Sequence, residues 1–123
     1  MGDERKPLGR LGEDAACEAL EGSGYRIVQR NYRCPLGELD LVARQGKTLV
    51  FVEVKSQSAG SGISGKDRVS KEKQRRLCKL AQFYIKEKGL HGISARFDVA
   101  EVRFREGALP EVEIIPNAFD ADG

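Results

Sequence analysis

The sequence predicts an α/β domain in which two helices flank a mixed β-sheet, in the order helix, three strands, helix, two strands. Two segments carry apolar residues at helical spacing, and the segments between and after them alternate as strands do. A chain of 123 residues is long enough for one domain with a core, and no internal repeat is found. We therefore expect a single domain over residues 1–123, with frayed tails at 1–8 and 117–123.

The first helix is predicted from Gly9 to Leu20, because it has an apolar stripe at helical spacing. Gly22-Ser23-Gly24 ends this helix. A first strand follows over residues 25–30, and residues 31–36, which include Pro35, are expected to be a connection.

The next two strands, residues 37–43 and 50–55, carry ionised side chains inside apolar segments. A two-residue turn at Gly46-Lys47 would set Asp40 opposite Glu53, and Glu38 opposite Lys55. Opposed side chains stand roughly 5 Å apart at Cβ, where like charges destabilise a sheet. Two carboxylates in that position require a cation between them, and a divalent metal ion is the best candidate.

Strand alternation places the four charged side chains on one face of this hairpin. An apolar layer is expected behind them, on the opposite faces of the two strands. Its predicted members are Leu39, Leu41, Ala43, Val50, Val52 and Val54.

The segment 56–65 is rich in Gly and Ser and is predicted to be a mobile loop beside the hairpin. A second helix is predicted to begin after an N-cap at Ser70 and to run to about Lys88, with Gly89 as its stop. Residues 93–104 read as a strand. A short last strand over residues 112–116 is expected at an edge, because Pro116 cannot donate to a ladder.

Charge is unevenly distributed, although the net charge is only +2. Residues 66–88 contain nine basic and three acidic side chains, so a basic helix stands beside an acidic cluster. This suits a protein that holds phosphates, although a solvated helix face laced with ion pairs is the simpler reading of the charge run alone. No apolar segment is long enough to cross a membrane and the N-terminus has no signal-peptide core, so a cytoplasmic protein with reduced cysteines is expected.

Two carboxylates on rigid strands suit Mg²⁺ or Mn²⁺, which prefer oxygen ligands. Asp40 and Glu53 would be direct ligands, and the carbonyl of Val54 could add another. Lys55 would orient a nucleophilic water or stabilise developing negative charge. Glu38 either helps to bind a second ion or pairs with Lys55, and the cross-strand ion pair is favoured slightly.

Three further residues are considered for a role in the site or in the fold. Glu13 lies at the margin of the first helix's apolar stripe, where it could point at the metal or simply favour the helix dipole. Asp98 is expected to be a structural partner of Arg96. His91 stands alone, so Ser-His-Asp machinery is absent from the sequence.

Asp40 followed by Glu53-Val54-Lys55 resembles the motif of the PD-(D/E)xK nucleases, and the chain is more closely similar to the YraN-like family of predicted bacterial endonucleases. The resemblance extends from Gly9 to about Val99. Its matching segments are residues 9–16, 30–33, 37–43, 50–55 and 96–99.

The resemblance implies a restriction-endonuclease-like core, a divalent metal ion and DNA as substrate. It also implies that Glu13 completes the site and that Lys73 or Gln74 is an accessory polar residue. The chain departs from the pattern in having Leu39 where proline is frequent, and Gln57 where relatives often have a basic residue.

The leading hypothesis is a Mg²⁺-dependent endodeoxyribonuclease that acts on DNA with little base readout, with branched or structured DNA as a candidate substrate. A non-catalytic nucleic-acid-binding or adaptor protein on the same fold is the alternative. A glycosidase ranks last, because it leaves Lys55 and the basic helix without a role. The oligomeric state stays open, although cutting two strands of a junction would favour a two-fold dimer. The predicted phosphate contacts are Arg10, Lys66, Arg68, Lys71, Lys73 and Arg75.

Overall fold

The computed structural model describes residues 6–58 and 69–119. Over these residues the predicted order of elements is confirmed. Most of the predicted Gly/Ser loop lies outside the described residues, as do Lys66 and Arg68. The elements are α1 (Lys6–Gly22), β1 (Arg26–Cys34), β2 (Gly37–Gln45), β3 (Thr48–Ser58), α2 (Lys71–Glu87), β4 (Ala95–Phe104) and β5 (Glu111–Phe119).

The five strands form one mixed sheet in the order β1-β2-β3-β4-β5. Strands β3 and β4 are parallel, and the other three pairs are antiparallel. Helix α2 makes the crossover between the two parallel strands, as such a connection requires. The mixed sheet and the edge position of the last strand are therefore confirmed.

The two helices cover opposite faces of the sheet. Leu77, Leu80, Ala81 and Tyr84 of α2 pack in a cluster with side chains such as Phe51. On the other face, α1 contributes a second cluster that includes Leu41, Val50 and Val102 of the sheet. The α1 members of that cluster are Ala16, Cys17 and Leu20. Within the described residues, neither helix is long and apolar enough to cross a membrane.

Helix α2 begins and ends where its sequence predicts. Ser70 is the N-cap, and its hydroxyl accepts the backbone N–H of Lys73 at 3.1 Å. At the other end Gly89 has φ 67, the left-handed conformation that favours glycine after a helix. The cap fixes Lys73 in the first turn, four residues before the buried Leu77 on the same face of the helix.

Strand β1 is longer than predicted, because it continues through Asn31 to Cys34. Asn31 has φ 53, a left-handed conformation that asparagine adopts more readily than most residues. Arg30 pairs with Leu41 and Tyr32 with Leu39, which puts Asn31 opposite Asp40. The prediction of a connection over residues 31–36 is thus wrong for its first four residues, since one left-handed residue lets the strand continue.

Strand β2 does not alternate regularly through Asp40. Leu39 packs in the α2 cluster, whereas Leu41 and Ala43 pack in the α1 cluster. In a regular strand Leu39 and Leu41 would share a face. The prediction that both belong to one apolar layer is therefore wrong for Leu39, and the strand turns over at the candidate carboxylate.

Asp98 has the structural role that was predicted for it. Its side chain is completely buried and accepts hydrogen bonds from Arg96 Nε at 3.0 Å, the Tyr25 hydroxyl at 2.7 Å and the Asn117 backbone N–H at 3.0 Å. These bonds join the start of β1, β4 and β5. Asp98 is thus a buried acid whose oxygens are hydrogen-bonded and paired with an arginine, as a buried polar group requires.

Strand β5 extends beyond the predicted residues 112–116 to Phe119. The Phe119 ring stacks on Phe97 of β4, with centroids 4.7 Å apart and an interplanar angle of 20°. A stacked aromatic pair stabilises the fold by more than the burial of its apolar area alone would. This contact explains why the strand continues past Pro116.

Candidate metal centre

The β2–β3 hairpin has the predicted register. Gly46 has φ 61 in the turn, Gln45 pairs with Thr48, and Leu41 pairs with Val52. The next step of the ladder is replaced by a side-chain contact, in which the Val54 backbone N–H donates to Asp40 Oδ2 at 2.9 Å. The Asp40 carboxylate therefore lies where the two strands part, next to Glu53.

The carboxyl group of Asp40 lies close to that of Glu53. Burial raises the pKa of Asp40, the negative charge of Glu53 raises it further, and the value reaches about 7. The charge of Glu13 makes a smaller contribution in the same direction. Part-buried carboxylate oxygens that repel each other are the donor set that a hard divalent cation stabilises, so the residues fit Mg²⁺ or Mn²⁺.

Two lysines neutralise Glu53. Lys73 Nζ lies 2.5 Å from Glu53 Oε1, and Lys55 Nζ lies 3.5 Å from the same oxygen. Burial lowers the pKa of Lys55, and the neighbouring Lys73 ammonium lowers it further. Burial acts most strongly to lower the pKa of Lys73, but the contacts with Glu53 and Lys55 and the negative charges of Glu53 and Asp40 together outweigh it, so the pKa lies above its ordinary value.

Lys73 is thus part of the carboxylate site and not only a surface cation. The sequence predicts that Lys73 contacts phosphate, and the family resemblance makes it one of two candidates for an accessory polar residue. The stronger signal was its spacing, because Lys73 lies one helical turn before the inward-facing Leu77 and therefore shares its face. Its neighbour Gln74 points elsewhere and donates to the carbonyl of Val69 at 2.9 Å.

Glu38 does not pair with Lys55, so the favoured cross-strand ion pair is wrong. Its carboxylate instead accepts from Arg33 Nε of β1 at 2.6 Å. The reason is that β2 and β3 separate beyond Leu41 and Val52. The β2 residues before Leu41 therefore pair with β1 alone. Glu38 still lines the cavity that contains Asp40 and Glu53.

Glu13 of α1 contacts β1 at the left-handed residue Asn31. Its Oε1 accepts from Asn31 Nδ2 at 3.1 Å and contacts Arg30 Nη2 at 3.4 Å. Among the described residues, no group of three or more acidic, histidine or cysteine side chains could hold a metal ion. The structure therefore brings Asp40 and Glu53 together and leaves Glu13 as a nearby charge tied to β1.

Glu101 is a buried acid that sequence reasoning missed. It is completely buried on β4, beside Lys55 in the parallel register. It accepts from Gln57 Nε2 at 2.9 Å and pairs with Arg103. The sequence signal for a buried acid is its position between two apolar residues of a strand, and Glu101 shares this signal with Asp98.

Three cavities among the described residues contain candidate site residues. The middle cavity, of about 310 Å³, is lined by Asp40, Glu53, Lys73 and Arg76 among others. A cavity of about 330 Å³ lies along α2, and it shares Leu36 and Arg76 with the middle one. The third cavity, of about 550 Å³, lies between α1 and β1 and contains Glu13.

The predicted phosphate contacts that line cavities are distributed over all three of them, with Lys73 in the middle cavity. Arg75 lines the α2 cavity, together with Arg76 and Lys79, which were not singled out. Arg10 lines the cavity between α1 and β1. Lys71 is exposed at the first position of α2.

The raised pKa of Asp40 predicts that this residue costs stability in the metal-free protein. A carboxyl group whose pKa rises on folding contributes to the free energy of unfolding. This contribution is fully present below pH 4 and is lost as the pH rises through about 7. Asn at position 40 keeps an oxygen for the Val54 amide without the charge. We therefore expect Asp40→Asn to raise the melting temperature in EDTA by about 5 °C at pH 8.

The pH dependence is the check on this prediction. Thermal unfolding in EDTA should show the gain shrinking towards pH 5, where Asp40 of the natural chain keeps its proton when folded. Glu18→Gln, an exposed change on α1, serves as the control with no such dependence. An equal effect of Asp40→Asn at both pH values would contradict the assignment of the raised pKa.

A family model and similar known proteins all indicate the same family. A model described as "Uncharacterised protein family UPF0102" matches residues 12–102. A UPF0102 protein of Moorella thermoacetica is 46% identical over 116 residues, which cover 94% of this chain and 97% of that protein. A UPF0102 protein of Pelotomaculum thermopropionicum is 48% identical over 120 residues, which cover 97% of this chain and all of that protein.

A solved structure is also similar. It is described as the structure of Pyrococcus furiosus SfsA in complex with Ca²⁺, and it matches with a TM-score of 0.48 and 17% sequence identity. The match covers 88% of this chain and 63% of that chain, so this chain spans less than two thirds of its length.

Proposed function

This chain belongs to the uncharacterised protein family UPF0102, and we propose that it is a metal-dependent nuclease that hydrolyses phosphodiester bonds of DNA. The proposal includes a restriction-endonuclease-like core. The observation that carries it is the carboxylate pair of Asp40 and Glu53 at the point where β2 and β3 part, with Lys55 and Lys73 on Glu53. A part-buried site that combines acids with lysines is suited to holding a metal and a phosphate together.

Asp40 and Glu53 would hold Mg²⁺ or Mn²⁺, with the carbonyl of Val54 as a further oxygen donor. The bound ion supplies Lewis acidity and lowers the pKa of water. The hairpin supplies rigidity, because the Val54 amide fixes Asp40 and a short turn fixes the register of both strands.

Lys55 would assist the attack on phosphorus. Its lowered pKa brings it closer to exchanging a proton near neutral pH, which suits a group that orients or deprotonates a water. In its charged form it would stabilise the negative charge that develops on the phosphate. The two roles need different protonation states, and the pH profile of cleavage distinguishes them.

Basic side chains beside the carboxylates supply the attraction for a polyanion. Lys73 and Arg76 line the middle cavity, and Arg75 and Lys79 line the cavity next to it. Contacts of this kind are made to phosphates and carry no base sequence. DNA is therefore proposed as the substrate with little base readout.

The test is incubation of the purified chain with labelled duplex, single-stranded, flap and four-way-junction DNA, with Mg²⁺, Mn²⁺ or EDTA. We expect cleavage of at least one substrate with metal and none with EDTA. Failure to cut any of these substrates under either metal would overturn the proposal.

A non-catalytic DNA-binding protein is the second candidate, and one observation favours it. Lys73 Nζ lies 2.5 Å from Glu53, so the chain neutralises this carboxylate with its own cation. A binding protein of this kind would bind DNA in a salt-dependent manner without metal and without cleavage.

Metal titration separates the two candidates. We expect calorimetry with Mn²⁺ to show binding by the natural chain and a loss of at least roughly 100-fold in affinity for Glu53→Gln, which removes a direct ligand. Glu13→Gln should weaken binding by only about tenfold, because Glu13 acts from outside the carboxylate pair.

Glu18→Gln on the same helix is the matched control and should bind as the natural chain does. Equal Mn²⁺ affinity in Glu53→Gln and the natural chain would remove the carboxylate pair from the metal site. A loss in Glu13→Gln as large as that in Glu53→Gln would make Glu13 a direct ligand.

A further inference from the structure

The cavity between α1 and β1, called here the α1–β1 pocket, is rich in arginine. Its volume is about 550 Å³, which lies within the range of small-ligand sites. The guanidinium group presents several N–H donors in a planar fork that matches a phosphate. The pocket is lined by Gly9, Arg10, Glu13, Asp14, Arg30, Asn31 and Arg33.

The arginines of this pocket keep donors for a ligand. Arg30 contacts Asp14 at 2.7 Å and Glu13 at 3.4 Å, both through Nη2. Within the described part of the chain, Nε and Nη1 of Arg30 are not used in these contacts. Arg10 is exposed, and the Arg33 side chain is 77% exposed although it bonds Glu38.

The α1–β1 pocket is a neighbour of the cavity that contains the carboxylates, and one ion pair stands between the two. Arg33 lines the pocket, Glu38 lines the middle cavity, and the two side chains are 2.6 Å apart. On its other side the middle cavity shares Arg76 with the α2 cavity. The carboxylates therefore lie between two arginine-containing cavities that belong to opposite layers of the fold.

We propose that the α1–β1 pocket binds a backbone phosphate of the DNA strand being cut, on the side of the carboxylates away from α2. This inference rests on the proposed function and extends it to the class of substrate. A strand held in both outer cavities continues past the cut on each side, so the bond that is broken is internal to the strand.

Gly9 offers a test that leaves every arginine in place. It lines the pocket, and a Cβ built on it meets no atom within 4 Å. Gly9→Glu and Gly9→Gln therefore add side chains of nearly the same size that differ in charge. Both also replace a glycine inside a helix by a better helix former.

The measurement is fluorescence anisotropy of a labelled DNA oligonucleotide with the full chain in EDTA, so that binding is read without cleavage. We expect Gly9→Glu to bind about tenfold more weakly than Gly9→Gln, because its carboxylate repels the phosphate. Arg10→Gln should lower the slope of log affinity against log salt by about one.

Leu109→Glu is the control for net charge, since Leu109 is 87% exposed in the turn between β4 and β5. It should bind DNA nearly as well as the natural chain. Equal affinities of Gly9→Glu and Gly9→Gln, in a chain that binds DNA, would overturn the pocket and leave the proposed nuclease standing. A natural chain that does not bind DNA in EDTA at low salt would overturn the pocket, whereas the nuclease is tested separately by cleavage with metal.

Discussion

Asp40→Asn is expected to reduce metal-dependent DNA cleavage by roughly 10³-fold, because the change removes a charge from the carboxylate pair that would hold the ion. The substitution is nearly isosteric and keeps an oxygen for the Val54 amide, which lies 2.9 Å from Asp40 Oδ2. The fold should therefore survive, and in EDTA at pH 8 the variant should be more stable than the natural chain.

The measurement is the initial rate of cleavage, with Mg²⁺ or Mn²⁺, of whichever DNA the natural chain cuts best. Glu18→Gln, purified in the same way, controls for contaminating nuclease and for the loss of one acid from the surface. DNA binding in EDTA by Asp40→Asn should be at least as tight as that of the natural chain, because a negative charge has been removed. An unchanged rate in Asp40→Asn would remove Asp40 from the reaction.

The second large effect is structural and concerns Asp98. Asp98→Ala should lower the free energy of unfolding by about 3 kcal/mol or more, because it leaves the part-buried Arg96 guanidinium without its carboxylate. The Tyr25 hydroxyl and the Asn117 amide lose their acceptor in the same step. For a domain of this size the melting temperature should fall by about 10 °C.

An exposed ion pair supplies the matched control for this prediction. Arg105 Nη2 and Glu111 Oε1 are 2.6 Å apart, but both side chains are 53% exposed. Glu111→Ala should therefore change the free energy of unfolding by less than about 1 kcal/mol. Asp98→Asn, which keeps the shape, should fall between the two, and equal melting temperatures for Asp98→Ala and Glu111→Ala would contradict the role given to Asp98.

The hairpin could be predicted from sequence because its determinants are local. Gly46 fixes the turn, and the turn fixes the register as far as Leu41 and Val52. The α2 boundaries could be predicted for the same reason, since Ser70 and Gly89 are read directly as caps. Asp40 and Glu53 are the next residues beyond this register, so the local rules bring them close together.

The partners of Glu38 and Glu13 could not be predicted, because they depend on which strand remains adjacent after the hairpin parts. Two-residue periodicity assumes that the strand stays regular, and Asp40 lies where it does not. The left-handed Asn31 opposite Asp40 has no strong signal, since asparagine also occurs in ordinary loops. Periodicity places Lys73 on the inward face of α2, but its contact with Glu53 depends on how α2 packs on the sheet, which periodicity does not give.

The sheet order has a consequence for how the chain reaches its folded state. Strands β1, β2 and β3 are joined by short turns, whereas β3 meets β4 only across the whole of α2. Contacts between residues that are distant in sequence cost more loop-closure entropy and slow folding. We therefore expect the hairpin to form, and its two carboxylates to come together, before α2 docks and Lys73 reaches Glu53. The repulsion between the carboxylates is then expected to oppose hairpin formation and to favour the docking of α2, which supplies a neutralising ammonium.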